Sequence, residues 1–247
     1  MYKKIIWIIV IIIFTLLIYS AVGRQPTMSE NFITVSIQED NIDNGYVLDI
    51  EYPQFIDTTP ATQFMNSDIE EYIDEKVSHF TNTSKEIADW AENNNVSGVG
   101  IEGGSSLYIR YDVPVTREMI VAVRFNVSEY SAGAAHPNTV AVTKSYDTSS
   151  PKLLSLEDLF EDGTDYLSVM AKYAQDDIVK QLREAGVEEP MSDWVRRGTA
   201  PEEDNYRSFL PEAEHLTIIF DPYQVAAYAF GLREVHIPWS KFPGLPR

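Results

Sequence analysis

Apolar and polar residues alternate strictly in "ITVSI" (33–37) and again in "YVLDIEYP" (46–53), the period of two that marks strands with one buried face. Asn44-Gly45 stands between them, and both residue types tolerate positive φ, so the pair predicts a two-residue hairpin turn. The period then changes. From 66 to 92, Ile69, Tyr72, Ile73, Val77, Phe80, Ile87 and Trp90 recur mostly at steps of three and four, which predicts one long helix with a core-facing stripe. Ser67 and Glu70 supply a capping-box pattern at its start, Thr83-Ser84 break the stripe, and Asn93 to Asn95 with Gly98 end it.

Alternation returns in the centre of the chain. Leu107, Ile109, Tyr111 and Val113 share one face of a predicted strand over 107–113, and Val121, Val123, Phe125 and Val127 share one face over 120–130. A third strand is predicted over 139–147, and short loops between the three imply antiparallel pairing. "LSLEDLF" (154–160) reads as a capped short helix, and 164–185 as a full one with Leu167, Met170, Ala174, Ile178 and Leu182 in line and Gly186 as its stop. The acidic stretch 187–205, with two prolines, predicts a surface loop. Strands over 215–220 and 232–238 flank "DPYQVAAYAFG" (221–231). Strands and helices without βαβ alternation predict an α+β fold: an antiparallel sheet packed by two long helices.

Ahead of this lies a segment of a different kind. Lys3-Lys4 precede residues 5–22, which carry no charge, and as a helix those residues would be roughly 27 Å long, enough for a bilayer core. The lysines predict a cytoplasmic N-terminus and everything after Arg24 outside. A signal peptide cut near Ala21-Val22-Gly23 is the alternative, and it would release the remainder as a secreted protein. Residues 1–23 are thus anchor or signal segment, and 24–31 a polar tether.

Composition narrows the chemistry. The 247 residues include no cysteine, which removes disulfides, thiolate catalysis and Cys-based metal sites. A net charge of −19 argues against a nucleic-acid partner, because phosphate backbones are held by Lys and Arg. "GVGIEG" (98–103) spells a dinucleotide-binding pattern, but a helix precedes it and a strand follows, the reverse of what a pyrophosphate needs. Asp40, Gly45 and Glu51 mimic part of a calcium loop, yet Ile42 occupies a ligand position and strands flank it.

Four histidines remain as candidate chemical groups. His79 reads as a partly buried helix residue, and His215 and His236 lie at or in strands. None has a metal-ligand spacing, so neither a metal nor a cofactor is expected. His136 sits in "SAGAAHPNTV" (131–140), where Gly133 suits an unusual φ, the alanines allow close packing and Pro137 fixes the entry of a strand. That composition explains the loop without catalysis, although a hydrolase using His136 stays open as an alternative.

"YSAGAAHPNTVAVTKSYD", "LSLEDLF" and "FDPYQVAAYAFGLREVHIPWSKF", in this order, resemble the extracytoplasmic domain of RsiV-type proteins, and residues 31–100 resemble the PdaC/RsiV-like module that precedes it. The resemblance implies a PdaC/RsiV-like module over 32–104 and an RsiV-like domain over 105–247, the two packing as one α+β unit. It also implies binding rather than catalysis, with lysozyme or a cell-wall glycan as partner. Only four residues precede 5–22, so the chain is not itself expected to hold a cytoplasmic sigma factor. The candidate binding residues are Tyr130, Gly133, His136, Pro137 and Asn138 in the loop, and Tyr223 and Tyr228 in the late segment. A purely structural envelope role is a further alternative.

Overall fold

The computed structural model describes residues 31–96 and 104–243. The predicted membrane segment 5–22 and the "GVGIEG" stretch lie outside the described residues. Among the described residues no helix is long and apolar enough to cross a membrane. The chain divides into two compact units, one comprising the residues up to Tyr111 together with Asn126–Asn138, the other Asp112–Phe125 together with the residues from Thr139 onward.

The first unit begins with the expected hairpin. β1 (Phe32–Asn41) pairs antiparallel with β2 (Tyr46–Phe55), Asn41 opposite Tyr46 and Phe32 opposite Phe55. The turn is longer than predicted. Residues 42–44 form a 3-10 turn in which the Asn41 side chain accepts from the Asn44 amide, and only Gly45 takes positive φ, at 65°.

α1 (Pro60–Asn93) starts about two turns upstream of the Ser67 capping box. The Thr59 hydroxyl caps it instead, accepting from the Thr62 amide at 3.1 Å, with Pro60 in the first turn where its missing N–H costs nothing. Asn66 then clamps the helix to the end of β2. Its side chain accepts from the Phe55 amide at 2.9 Å and donates to the Phe55 carbonyl at 2.8 Å. Ile69, Ile73 and Phe80 are buried as the stripe predicts, Met65 extends the buried face upstream of the predicted helix, and buried Ser84 continues it without a break. Trp90 departs from the stripe, 59% exposed.

β3 (Ser105–Asp112) pairs parallel with β2, Leu48 opposite Leu107 and Ile50 opposite Ile109. The sheet is therefore mixed, not antiparallel throughout. Parallel neighbours need a crossover connection, and α1 provides it. Gly104 makes the start of β3 possible: a Cβ there would lie 2.6 Å from the Gly45 carbonyl oxygen, and the same carbonyl accepts the Ser105 amide at 2.8 Å. β4 (Ile120–Tyr130) is next in the sheet, and its C-terminal residues belong to this unit.

In the second unit the N-terminal part of β4 is followed in the sheet by β5 (Asn138–Asp147) and the short β6 (Lys152–Leu153). α2 (Tyr166–Glu184) is capped by Asp165 and ends before Gly186, whose φ is 87°. Its buried residues Met170, Ala174, Ile178 and Leu182 pack into one core with Leu216, Ile218 and Phe220. α3 (Asp193–Gly198) then occupies part of the predicted surface loop. The acidic composition hid a real cap, in which the Ser192 hydroxyl accepts from Val195, and Val195 itself is buried.

A second, antiparallel sheet closes this unit. β7 (Phe209–Pro211), β8 (His215–Phe220) and β9 (Arg233–Pro238) lie in that order, with Leu216 opposite Ile237 and Ile218 opposite Val235. The class is α+β, as predicted, with one mixed and one antiparallel sheet.

Candidate functional site

The opening loop of the sequence motif belongs to the first unit. Gly133, at φ 87°, sits in a turn closed by the Ala134 amide donating to the Ser131 carbonyl at 2.9 Å. Ala134, Ala135, His136, Pro137 and Asn138 are all exposed, so the alanines do not pack closely as predicted. One ring nitrogen of His136 lies 2.9 Å from the Pro137 carbonyl. Tyr130 is half-buried at the end of β4. The loop is tied down where it leaves that strand: the Ala132 amide donates to the Ser105 hydroxyl at 3.1 Å. Ala132 also lines a shallow hollow of about 340 Å³ with Ile87 and the exposed Trp90 of α1.

The other two candidate tyrosines belong to the second unit, where they gain a companion. The Tyr223 and Tyr228 rings lie 5.6 Å apart, centre to centre, inclined at 31°. The Trp194 ring of α3 also neighbours Tyr223, at 6.2 Å and 34°. Trp194 is 41% exposed and Tyr223 49%, while Tyr228 is half-buried, so the tier opens to solvent at its first two rings. Sequence reading missed Trp194 because it lay in a stretch taken for loop. Its only local signal is the Ser192 cap three residues before Val195.

The backbone holds Tyr223 in an unusual state. Asp221, Pro222, Tyr223 and Gln224 form a turn, with the Gln224 amide donating to the Asp221 carbonyl at 3.1 Å. Proline second and a positive φ third are what a type II turn requires, and that third place belongs to glycine or asparagine. Here a tyrosine occupies it at φ 70°. Such a conformation costs a non-glycine residue roughly 1–2 kcal/mol, and strain of this kind clusters at binding sites.

Bracing comes from behind the tier. Gly198, the last residue of α3, lies against the Gln224 carbonyl so closely that a Cβ would sit 2.1 Å from its oxygen. The Gln224 side-chain amide donates to the carbonyls of Gly198 and Asn205, at 3.3 and 2.9 Å. Tyr206 is buried, its hydroxyl donating to the Thr199 carbonyl at 2.7 Å, and burial pushes its phenol up so that it remains a donor. Asp221 anchors the near end, accepting from the Ala141 amide at 3.2 Å and from Arg207 at 3.1 Å.

A cavity of about 1150 Å³ opens elsewhere in the second unit, lined among others by Arg117, Asp147, Lys152, Asp158 and Trp239. The Arg117 guanidinium lies 4.9 Å above the Trp239 ring. Bonds from the Ser149 hydroxyl and amide, at 2.6 and 2.7 Å, hold the Asp147 carboxyl below its ordinary range. Burial pushes Asp158 up, but Lys152 at 2.5 Å and the Ser155 amide and hydroxyl outweigh it, and the net shift is down. Both groups stay ionised at neutral pH and are poor proton donors, unlike the raised carboxyl that glycoside chemistry uses as its acid.

The remaining histidines are accounted for by their surroundings. His79 is exposed on α1, not partly buried. His215 and His236 meet edge to face at 4.8 Å across β8 and β9. The Thr217 hydroxyl donates to Glu212 at 2.9 Å and therefore accepts from His236 Nδ1, also at 2.9 Å. Among the described residues no three acidic or histidine side chains are grouped to hold a metal ion.

Comparison with known proteins finds a family model that matches the later part of the chain. Residues 157–240 match the family described as a protein of unknown function, DUF3298. The chain is 26% identical over 191 residues to the peptidoglycan-N-acetylmuramic acid deacetylase PdaC of Bacillus subtilis (strain 168). That match covers 77% of this chain and 37% of the relative, so the chain corresponds to little more than a third of that protein.

Two solved structures share the fold. A DUF3298 family member from Bacteroides fragilis superposes with a TM-score of 0.56 at 18% identity, covering 85% of this chain and 91% of that one. A DUF3298 family protein from Pseudomonas aeruginosa gives 0.51 at 15%, covering 90% and 97%. The chain is thus similar to PdaC over much of its length and to DUF3298 proteins over residues 157–240, and its likeness to RsiV-type proteins stays a resemblance of motifs. Trp194, Tyr223 and Tyr228 all fall inside the matched stretch.

Proposed function

We propose that this chain is a membrane-anchored extracytoplasmic binding module of the cell envelope, and that its ligand is a component of the cell wall. The observation that carries this reading is the tier of exposed Trp194 and Tyr223 with half-buried Tyr228, the Tyr223 ring that neighbours both others being held at a positive φ. Exposed aromatic side chains on a rigid support are the usual source of binding energy, because they lose little conformational entropy when a ligand lands on them. The lowered carboxyls of Asp147 and Asp158 in the cavity of the second unit favour binding over acid catalysis by those two groups. Likeness to a protein named for acting on peptidoglycan supports a wall ligand. Residues 5–22 would be the anchor, with Lys3 and Lys4 on the cytoplasmic side.

A second ligand reading rests on charge. A protein of net charge −19 attracts basic proteins such as lysozyme from a distance, with marked dependence on salt.

The experiment is co-sedimentation of the full chain, in a detergent without a sugar headgroup, with insoluble peptidoglycan. Calorimetric titration with a c-type lysozyme at low and moderate salt accompanies it. Saturable co-sedimentation is the expected result. Failure to bind either peptidoglycan or lysozyme would overturn the binding-module reading.

A further inference from the structure

We propose that the tier formed by Trp194, Tyr223 and Tyr228 is a glycan subsite on which successive sugar rings of a β-linked chain lie face down. The inference rests on the binding-module reading and names the ligand class of its site. Three observations carry it.

The first is spacing. Ring centres follow one another at 6.2 and 5.6 Å, and adjacent rings are inclined by only 34° and 31°. The three rings thus form a strip joined through Tyr223, which neighbours both others, with Trp194 and Tyr223 exposed and Tyr228 half-buried. Successive pyranose rings in an extended glycan follow one another at a similar pitch. A flat sugar face presents C–H groups to the negative face of an aromatic ring, which is favourable in the same sense as an edge-to-face aromatic pair.

Rigidity is the second. A strip that adjusts freely would serve any apolar partner, whereas this one is fixed from both sides. Gly198 abuts the Gln224 backbone with no space for a methyl group, and Gln224 bonds both Gly198 and Asn205. Val225 and Ala226, between the two tyrosines, are buried. Prior ordering of this kind favours a ligand that is itself stiff.

The third is strain. Tyr223 stands where the turn calls for glycine, and its ring is the middle of the strip. Tyrosine at that place does nothing for the turn. Its side chain is what the position supplies.

Arg207, bonded to Asp221 at the start of the Tyr223 turn, is a polar group for the rim of a sugar. Its side chain is 71% exposed and has further N–H groups available for hydroxyls.

The test is titration of the full chain, in a detergent without a sugar headgroup, with chitooligosaccharides of increasing length. Tryptophan fluorescence and calorimetry provide the readout. Affinity is expected to rise with length until the three rings are covered, with a single sugar binding weakly. Trp194→Ala and Tyr223→Gly should each weaken binding roughly tenfold or more, the cost of losing an aromatic anchor. Tyr223→Gly suits the turn, so it separates loss of the ring from loss of the fold if Trp194→Ala proves unstable.

Binding to insoluble peptidoglycan that persists in both variants, or that occurs without any chitooligosaccharide binding, would overturn the glycan subsite and leave the module reading standing. Absence of all binding by the unaltered chain, lysozyme included, would remove both.

Discussion

Gly198 and Gln224 touch backbone to backbone, so closely that a Cβ added at Gly198 would lie 2.1 Å from the Gln224 carbonyl oxygen. This contact sets the separation between α3 and the turn that carries Tyr223, and hence between Trp194 and Tyr223. Gly198→Ala is expected to destabilise the protein by about 1–3 kcal/mol, the usual cost of overpacking. The shift should appear in denaturant unfolding, together with altered Trp194 fluorescence as the rings separate. An unchanged midpoint and spectrum would show that the contact is not what positions the tier.

Tyr223→Gly should do the opposite to stability. Relief of the left-handed strain offsets glycine's greater entropy in the unfolded chain, so the net change is expected between zero and about 1 kcal/mol of stabilisation. Tyr223→Ala keeps the strained backbone and gains nothing. Parallel denaturant melts of the two variants separate these outcomes, and equal destabilisation by both would mean that the ring, not the backbone, dominates the fold here.

The start of α1 offers a paired comparison. Thr59→Ala removes the hydroxyl that caps the Thr62 amide and should cost about 1 kcal/mol. Ser67→Ala, at an exposed position inside the helix, should be neutral or slightly stabilising, because alanine is the better helix former. Chemical denaturation of both variants checks the order.

Asp158 makes a prediction about acid. Its folded-state pKa is lowered, so its contribution is fully present above the unfolded value, near 3.9, and is lost as pH falls through the folded value. Asp158→Asn should therefore be less stable at pH 7, by no more than about 1 kcal/mol for so accessible a pair, and the difference should shrink toward zero in strong acid. Unfolding midpoints taken from pH 7 down to pH 2 test the sign. A gap that widened in acid would contradict the assigned interactions.

Local periodicity made much of the fold legible. The alternation in β2, β3 and β4, and the stripe Met170, Ala174, Ile178 and Leu182 of α2, are patterns in which neighbouring residues share one buried face. The Gly186 stop and the hairpin were readable for the same reason. Errors arose wherever a distant partner decided. Thr59, not Ser67, begins α1 because Asn66 is occupied with the backbone of Phe55 and draws the preceding turns into the packed face. β2 and β3 pair parallel because α1 carries the chain back across the sheet, which no residue in either strand records.

The site divides in the same way. Tyr223 and Tyr228 were visible as aromatic residues in the segment between two predicted strands. That Tyr223 would occupy a glycine place, and that Trp194 would extend the row, depended on Gly198 meeting Gln224 from another part of the chain. Sequence by itself determined which residues could form elements, because burial period and capping act over a few residues. Only the tertiary structure decided which aromatic rings share a surface, because close approach of two backbones is a property of the packed chain.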